Sequence, residues 1–294
     1  MGVSAIMEER PQLLNLAYRM LGSHTEAEDA VQEAYARWYA MSPDRRHAVE
    51  SPGAWLTTTT SRICLDLLGS ARVRRERYVG EWIPEPVPDR PDAADPAERI
   101  TLDESINIAF LVMLESMTPP QRVAFILHDV YRYSFDEVAD IVGRTPAACR
   151  QLASSARRRV REAPPPVTPA RQADVVRDFR QAWMAQDIES LIGLLDPDAV
   201  ATADGGGRAL AFREPIAGGE NIARLLVWLV GQVPDGSVIE ESTVNGRPGL
   251  IARQDGVTVS VYAFQITGDR VTRLWIIRNP EKLRLWTDGP VGSW

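Results

Sequence analysis

A cluster of arginines marks the stretch RTPAACRQLASSARRRVRE, residues 144–162. It holds six arginines against one glutamate, whereas the whole chain of 294 residues carries a net charge of −7. Guanidinium groups bind phosphate oxygens through their charge and their fixed set of N–H donors. On a helix, at about 100° per residue, the polar side chains fall in one sector and Ala148, Leu152 and Ala156 fall opposite. The chemistry that this pattern predicts is DNA binding by Arg150, Gln151, Ser154, Arg157, Arg158 and Arg161.

The residues just before this helix predict how it is positioned. Ser134 and Glu137 have the spacing of a capping box, and Gly143 is a typical C-terminal stop. Thr145 and Pro146 then suit the N-cap and first position of the next helix. Two capped helices with so short a link predict a helix-turn-helix. The alternative is a solvated basic face on an ordinary helical bundle, which the short link disfavours.

Residues 10–78 predict a separate group of helices. In TEAEDAVQEAYARWY the apolar residues are spaced for one buried face, and the opposite face carries Asp29, Gln32 and Glu33. A further helix begins after Ser51 and Pro52 and ends in a basic segment with Arg72, Arg74 and Arg75. Taken alone, the acidic face is as consistent with a solvated helix as with a binding surface. Likewise, Trp55, Thr58, Ser61 and Arg62 fit either packing or contact with unpaired bases, on which aromatic rings stack.

Two changes of composition divide the rest of the chain. Residues 80–101 are rich in Pro and Asp and predict a semi-extended, acidic tether that does not contact DNA. Residues 102–163 then form the second helical domain, with one helix predicted through Leu102, Ile106, Phe110 and Leu114. After a second linker, 164–172, helices precede four strand-like runs separated by Asn-Gly, Asp-Gly and Gly-Asp turns. This order predicts an α+β domain over 173–284, followed by a tail, 285–294.

Several classes of protein are disfavoured by composition. Cys64 and Cys149 are too few and too scattered for a disulfide framework, and the three histidines lack metal-ligand spacing. No metal and no cofactor are therefore expected. No apolar run approaches the length that spans a bilayer, so a cytoplasmic protein without membrane contact is expected.

The motif AEDAVQEAYARW, the basic helix, the acidic linker and the helix-turn-helix together resemble regions 2 and 4 of the extracytoplasmic-function sigma factors of bacterial RNA polymerase. The resemblance covers residues 10–162 and implies two all-α sigma domains, with region 2 in 1–79. It implies that Asp29, Gln32 and Glu33 grip the clamp region of core polymerase. It also implies that the helix with Trp55, Thr58, Ser61, Arg62, Arg72, Arg74 and Arg75 opens and reads the minus-ten element, and that residues 145–161 read the minus-thirty-five element.

Three short motifs extend the resemblance over nearly the whole chain. WIPEP, DGGG and NPEKL, in this order, are similar to those of the sigma factor subgroup with a fused SnoaL-like extension, an α+β cone domain. The resemblance implies regulation in cis through contacts between these motifs. The residues concerned are Trp82, Pro84, Glu85, Pro86, Asp204, Gly205, Gly206, Gly207, Asn279, Pro280 and Lys282.

The sequence therefore predicts a sigma factor, not an enzyme, whose partners are core polymerase and promoter DNA. The alternative is a SnoaL-like domain that binds a small molecule or acts as an isomerase or cyclase, fused to an ordinary helix-turn-helix module. Such chemistry needs an acid and a base, and residues 171–294 contain no histidine. Asp204 or Tyr262 stays open as a base, and a small-molecule ligand stays open as a partner. The predicted cone is otherwise packed by Trp183, Trp228 and Trp275.

Overall fold

The protein is described from a computed structural model, which covers residues 8–75, 78–89, 106–162, 167–232 and 236–286, without the side chains of 71–75. These residues group into two compact units. The first comprises 8–75 and 111–162; the second comprises 78–89, 106–110, 167–232 and 236–286. No helix in these ranges is long and apolar enough to cross a membrane.

The first unit is helical. In chain order the helical elements up to residue 162 are α1 (Arg10–Leu21), α2 (His24–Ala40), α3 (Pro43–His47), α4 (Pro52–Arg75), α5 (Ile108–Glu115), α6 (Pro119–Phe125), a π-helical turn (Ile126–Val130), α7 (Phe135–Val142) and α8 (Pro146–Glu162). The first three residues of α5 group with the second unit. Helix α1 ends where Gly22 adopts φ +69, a left-handed value that favours glycine. The apolar face predicted for α2 is buried, since Ala27, Val31 and Trp38 are 3% exposed or less.

One predicted helix begins later than its apolar pattern suggested. Leu102 lies outside the described residues, and α5 begins at Ile108. Ile106 precedes the helix, is fully buried and groups with the second unit. Its apolar character therefore reflects packing in that unit and not the periodicity of α5.

The second unit is an α+β domain, as predicted. Its elements are α9 (Pro169–Met184), α10 (Ile188–Leu194), β1 (Leu195–Asp204), β2 (Ile216–Ala217), α11 (Gly219–Val230), β3 (Ser237–Val244), β4 (Arg247–Gln254), β5 (Val257–Thr267), β6 (Arg270–Ile277) and a 3-10 turn (Arg284–Trp286). The sheet order is β2-β1-β6-β5-β4-β3, and only the β1–β6 pairing among these is parallel. The predicted strands β3–β6 form the expected meander.

Strands β1 and β2 were missed by the sequence prediction. The inward positions of β1 include Ala199, Ala201 and Ala203, which are buried but have little β-propensity. A Pro and two Asp residues at the start of the strand, in LDPDAVATAD, also resemble a turn. Tertiary pairing with β6 therefore decides the conformation of this segment.

Large side chains fill the space between the sheet and the helices. Phe179 and Trp183 of α9 contact Phe264 and Tyr262 of β5 edge-on, with ring centroids 5.3 Å apart in each pair. Trp183 also donates its indole N–H to the carbonyl of Leu226. The packing role predicted for Trp183 is thus observed. Trp228 instead is 59% exposed, so its predicted packing role is wrong.

The opposite face of the sheet is buried as well. Val261 pairs with Ile277 and Ala263 pairs with Trp275 across β5 and β6. Because side chains alternate along a strand, these four residues face away from Tyr262 and the helices. All four are 5% exposed or less. A second layer must therefore cover this face.

Candidate nucleic-acid interface and linker-binding site

The helix-turn-helix is built as its capping residues predict. Ser134 accepts a hydrogen bond from the N–H of Glu137, whose carboxylate accepts from the N–H of Ser134 in return. Gly143 ends α7 with φ +70, and Thr145 accepts from the N–H of Ala148 at the start of α8. These caps fix the short turn that positions the basic helix.

The basic side chains of α8 share one exposed face. Gln151, Ser154, Arg157, Arg158 and Arg161 line one shallow groove. The buried side is rotated slightly from the predicted one, because Cys149, Ala153 and Ala156 are the buried residues. This face presents donors and positive charge to solvent, as a DNA-binding helix requires.

Two arginines of this face already have partners within the unit. Arg157 forms an ion pair with Asp129, with 2.6 Å between Nε and Oδ1, and is one-third exposed. The guanidinium of Arg150 lies 5.1 Å from the centroid of the Phe135 ring. For Arg157, contact with a phosphate would compete with the Asp129 carboxylate.

The predicted polymerase-binding face of α2 is solvent-exposed. Asp29, Gln32 and Glu33 are all exposed, on the side opposite the buried apolar residues. Glu33 is paired with Arg37 one turn later, at 2.8 Å. The three residues therefore form an accessible acidic surface.

Helix α4 separates its predicted DNA-contacting residues into different environments. Trp55 is partly buried against Trp38, with ring centroids 5.3 Å apart, and Thr58 is also partly buried. Arg62 is exposed and donates to the carbonyl of Asp140 in α7 at 2.7 Å. The side chains of Arg72, Arg74 and Arg75 lie outside the described residues.

The DNA-contacting role predicted for Ser61 does not fit this structure. Its side chain is fully buried, and its hydroxyl has no hydrogen-bond partner there. A buried hydroxyl cannot reach a base or a phosphate. Ser61 occupies an inward position of α4, next to the face that carries Arg62.

A buried arginine that the sequence prediction missed joins the two halves of the first unit. Arg122 of α6 donates to the carbonyl of Met20 in α1 at 2.9 Å and to the Glu115 carboxylate at 2.7 Å. Burial lowers the pKa of Arg122 to about 10. Arg19 of α1 similarly donates to the hydroxyl of Tyr131. These contacts tie α1 to the helices that precede the helix-turn-helix.

The acidic linker is not a free tether over its first part. Residues 83–87 are all buried in the second unit, and Pro88 pairs with Val244 at the end of β3. Glu85, the only acid among them, is 3% exposed. The sequence prediction missed this packing because proline-rich segments lack helix and strand periodicity. We call residues 78–89 the docked segment.

Asp204 is the central acceptor for the docked segment. At the end of β1 it is fully buried and accepts from the hydroxyl of Tyr78 at 2.6 Å and the N–H of Ile83 at 3.0 Å. It also accepts from Gly206 N–H and from Lys282 Nζ, which lies 2.6 Å away. These four donors surround the carboxylate, so its geometry is that of a structural acceptor.

Lys282, the sole lysine of the chain, completes this cluster. It is 7% exposed, and its ammonium group also donates to the carbonyl of Ile83. The same group lies 4.2 Å from the centroid of the Trp82 ring and 5.2 Å from that of Tyr78. Trp82 of the WIPEP motif is thus a cation–π partner of Lys282.

The glycines of the DGGG motif are required by close approach. Gly206 has φ +59, and an added Cβ there would collide with the side-chain amide of Asn279. That amide donates to the hydroxyl of Tyr78 at 2.8 Å. At Gly207, with φ +71, a Cβ would lie 3.1 Å from Val79 of the docked segment. Gly205 would meet the carbonyl of Ala209.

The NPEKL motif forms a turn on the same side. The N–H groups of Arg278 and Asn279 donate to the carbonyl of Asp204, and Pro280 accepts from the N–H of Leu283. The three motifs therefore meet around one buried ion pair. Burial, followed by the hydrogen bond to Asp204 and its negative charge, raises the pKa of the Tyr78 phenol.

Two further contacts of the docked segment come from residues outside the predicted set. Trp286 donates its indole N–H to the carbonyl of Pro86 at 2.9 Å. Asn245, between β3 and β4, accepts from the N–H of Val87 at 2.8 Å. The segment thus reaches from Asp204 at the end of β1 to Val244 at the end of β3. Asn245 was identified from sequence only as a turn residue.

Comparison with known proteins agrees with this architecture. Residues 5–74 match sigma-70 region 2, and residues 108–160 match sigma-70 region 4. The chain is 38% identical over 295 aligned residues to the ECF RNA polymerase sigma factor SigJ of Mycobacterium tuberculosis, covering 96% of this chain and 93% of that protein. It is 30% identical to SigI of the same species, covering 93% and 92%.

A crystal structure of M. tuberculosis SigJ is similar over almost the whole length. The TM-score is 0.76 at 34% identity, with 96% of this chain and 98% of that chain covered. Paired helical domains with a basic helix-turn-helix define the class as a DNA-binding transcription factor. More narrowly, the chain belongs to the ECF RNA polymerase sigma factors. Sigma factors are not enzymes; they bind core RNA polymerase and promoter DNA.

Proposed function

We propose that the exposed faces of the first unit perform the two binding tasks of a sigma factor. The acidic surface of Asp29, Gln32 and Glu33 contacts the clamp region of core polymerase. The exposed face of α8 reads the minus-thirty-five element, while α4 acts on the minus-ten element through Trp55, Thr58, Arg62 and its basic C-terminal turn. The exposure and charge of the α2 and α8 surfaces and the exposure of Arg62 support the proposal, and Ser61 is not part of it.

We further propose that the second unit regulates initiation in cis by holding the docked segment. The carrying observation is the buried Asp204–Lys282 pair, in which both partners also bind backbone of the segment at Ile83. The chain between regions 2 and 4 then cannot move as a free tether. Docking of this segment shortens the free part of the chain between regions 2 and 4. It thereby changes the separation that the two DNA-reading regions can reach.

Transcription with purified core polymerase on a library of genomic fragments tests the first proposal. We expect the full chain to yield discrete transcripts that core polymerase alone does not yield. Alanine substitutions at Asp29 and Glu33 should reduce binding to core. Equal transcription with and without the chain would contradict the sigma factor proposal.

The second proposal is tested by Asp204→Ala and Trp82→Ala in the full chain, with Asp198→Ala as the matched control. Asp198 lies on the same strand as Asp204 but is exposed. We expect the first two variants to change core affinity or transcript yield several-fold and the control to leave both unchanged. If neither variant differs from the control, the second unit does not regulate initiation.

A further inference from the structure

Asn245 has an environment that its role as a turn residue does not require. With Gly246 it forms the β3–β4 hairpin turn, at φ +50 and +72, values that favour Asn-Gly. Asp255 occupies the equivalent place in the β4–β5 turn, at φ +51, and is exposed. Asn245 instead is fully buried. The comparison shows that the turn alone does not account for burying an amide.

The amide of Asn245 binds two points of the chain that lie far apart in sequence. Its Oδ1 accepts from the N–H of Val87 at 2.8 Å, and its Nδ2 donates to the carbonyl of Ile106 at 2.7 Å. Its own backbone N–H donates to the carbonyl of Val87 at 2.9 Å. One residue therefore holds both ends of the stretch 88–105.

These hydrogen bonds bring Val87 and Ile106 close together. Since one amide group separates the two hydrogen bonds, the N atom of Val87 and the O atom of Ile106 lie at most about 8 Å apart. A flexible chain of the same length has a root-mean-square span of about 24 Å, and proline stiffens it further. Ile106 lies two residues before the part of the chain that matches sigma-70 region 4.

We propose that Asn245 is a positioning residue that fixes the span between regions 2 and 4, separately from the Asp204 cluster. The inference rests on the proposed function and deepens it. The Asp204 cluster holds the beginning of the docked segment, whereas Asn245 holds its end and the entry to region 4. While Asn245 holds both ends, the chain therefore tolerates only a narrow range of spacings between the two promoter elements.

Two substitutions of Asn245 separate its hydrogen bonds. Asn245→Gly keeps the left-handed turn and removes both side-chain bonds. Asn245→Asp keeps an acceptor for Val87 but places a carboxylate oxygen against the carbonyl of Ile106, so only the region 4 end is released. Asp255→Gly is the matched control, because it makes the same change in a turn whose side chain is exposed.

The experiment measures transcription from one promoter recovered with the full chain, with its spacer lengthened and shortened in single base pairs. We expect the wild type and Asp255→Gly to share a narrow profile. The quantity compared is the transcript yield with a spacer two base pairs from the optimum, divided by the yield at the optimal spacer. Asn245→Gly and Asn245→Asp should raise this ratio at least threefold. Hydrogen exchange at Val87 should accelerate at least tenfold in Asn245→Gly only.

The outcomes separate this inference from the function on which it rests. If both Asn245 variants transcribe with the wild-type spacer profile, Asn245 does not fix the span, and the sigma factor proposal stands. If the profile broadens equally in Asp255→Gly, hairpin flexibility is responsible and the inference is wrong. Absence of transcripts with the wild-type chain would instead contradict the proposed function.

Discussion

Replacing Tyr78 by Phe removes one hydroxyl from the center of the linker-binding site and keeps the ring. The hydroxyl donates to the buried Asp204 carboxylate at 2.6 Å and accepts from Asn279 at 2.8 Å. A hydrogen bond to a charged group stabilises the folded state by about 1.5–3 kcal/mol. When one partner is removed, the other stays buried and still pays the cost of its desolvation. Because 1.4 kcal/mol corresponds to a factor of ten, the released population of the docked segment should rise at least about tenfold.

The sole lysine provides the assay. Lys282 lies under the docked segment, with its ammonium group bound to Asp204 and Ile83. When opening and closing are fast relative to labelling, the labelling rate follows the open population. Acylation of Lys282 by an amine-reactive reagent, followed by peptide mass spectrometry, should therefore be at least tenfold faster in Tyr78→Phe than in the wild type.

The control is Tyr39→Phe, because Tyr39 lies on α2 and is 44% exposed. Removal of the Tyr39 hydroxyl should leave the labelling rate of Lys282 unchanged. If Lys282 reacts at the wild-type rate in Tyr78→Phe, the hydroxyl does not hold the segment. If Tyr39→Phe accelerates labelling as much, the effect is general loosening of the fold.

Three further outcomes follow from the site geometry. Arg158→Ala should lower the salt slope of DNA binding by about 0.9, since one phosphate contact is lost; measured titrations with an unchanged slope would place this face away from DNA. Ser61→Ala should leave transcription unchanged and the free energy of unfolding equal or higher, because the buried hydroxyl has no partner. The third concerns alkaline pH. Because the folded-state pKa of Tyr78 is raised, its stabilisation is present below the unfolded pKa of about 10 and is lost above it. The difference in urea midpoint between wild type and Tyr78→Phe should therefore shrink as the pH rises above 10, and a constant difference would exclude this titration.

Local signals in the sequence were sufficient for the helix-turn-helix and for the β3–β6 meander. The Ser134 capping box, the Gly143 stop and the Asn-Gly and Asp-Gly turns each act within a few residues, so their outcome does not depend on distant contacts. Strand β1 and the docked segment depend on distant contacts instead. The alanines of β1 form a strand because β6 pairs with them, and residues 83–87 are buried through contacts with Asp204, Lys282 and Trp286, which lie far away in the sequence.

The candidate site shows the same division. The exposed surfaces of α2 and α8 could be derived from helical periodicity, since one face of a helix follows from spacing alone. The sequence prediction also named Ser61 together with Arg62 as DNA-contacting residues, but the structure buries Ser61 and leaves Arg62 exposed. Arg122 and Asn245 gave no signal, because a lone arginine or an Asn-Gly pair has many ordinary roles. Their roles in the structure come largely from backbone groups far away in the sequence, which no sequence pattern marks.

The chemistry of the two anchors suggests why the docked segment is held twice. A buried ion pair adds little net stability, since desolvation offsets much of the attraction. Removing one partner is strongly unfavourable, because the other charge is then buried without compensation. The Asp204–Lys282 pair therefore specifies one arrangement of the docked segment and adds little to the net stability of docking. Asn245 binds through neutral hydrogen bonds, each stabilising by about 0.5–1.5 kcal/mol. Such bonds can break without leaving a buried charge unpaired. We therefore expect the hydrogen bond between Asn245 and Ile106 to break before the contacts of Asp204 and Lys282 with Ile83.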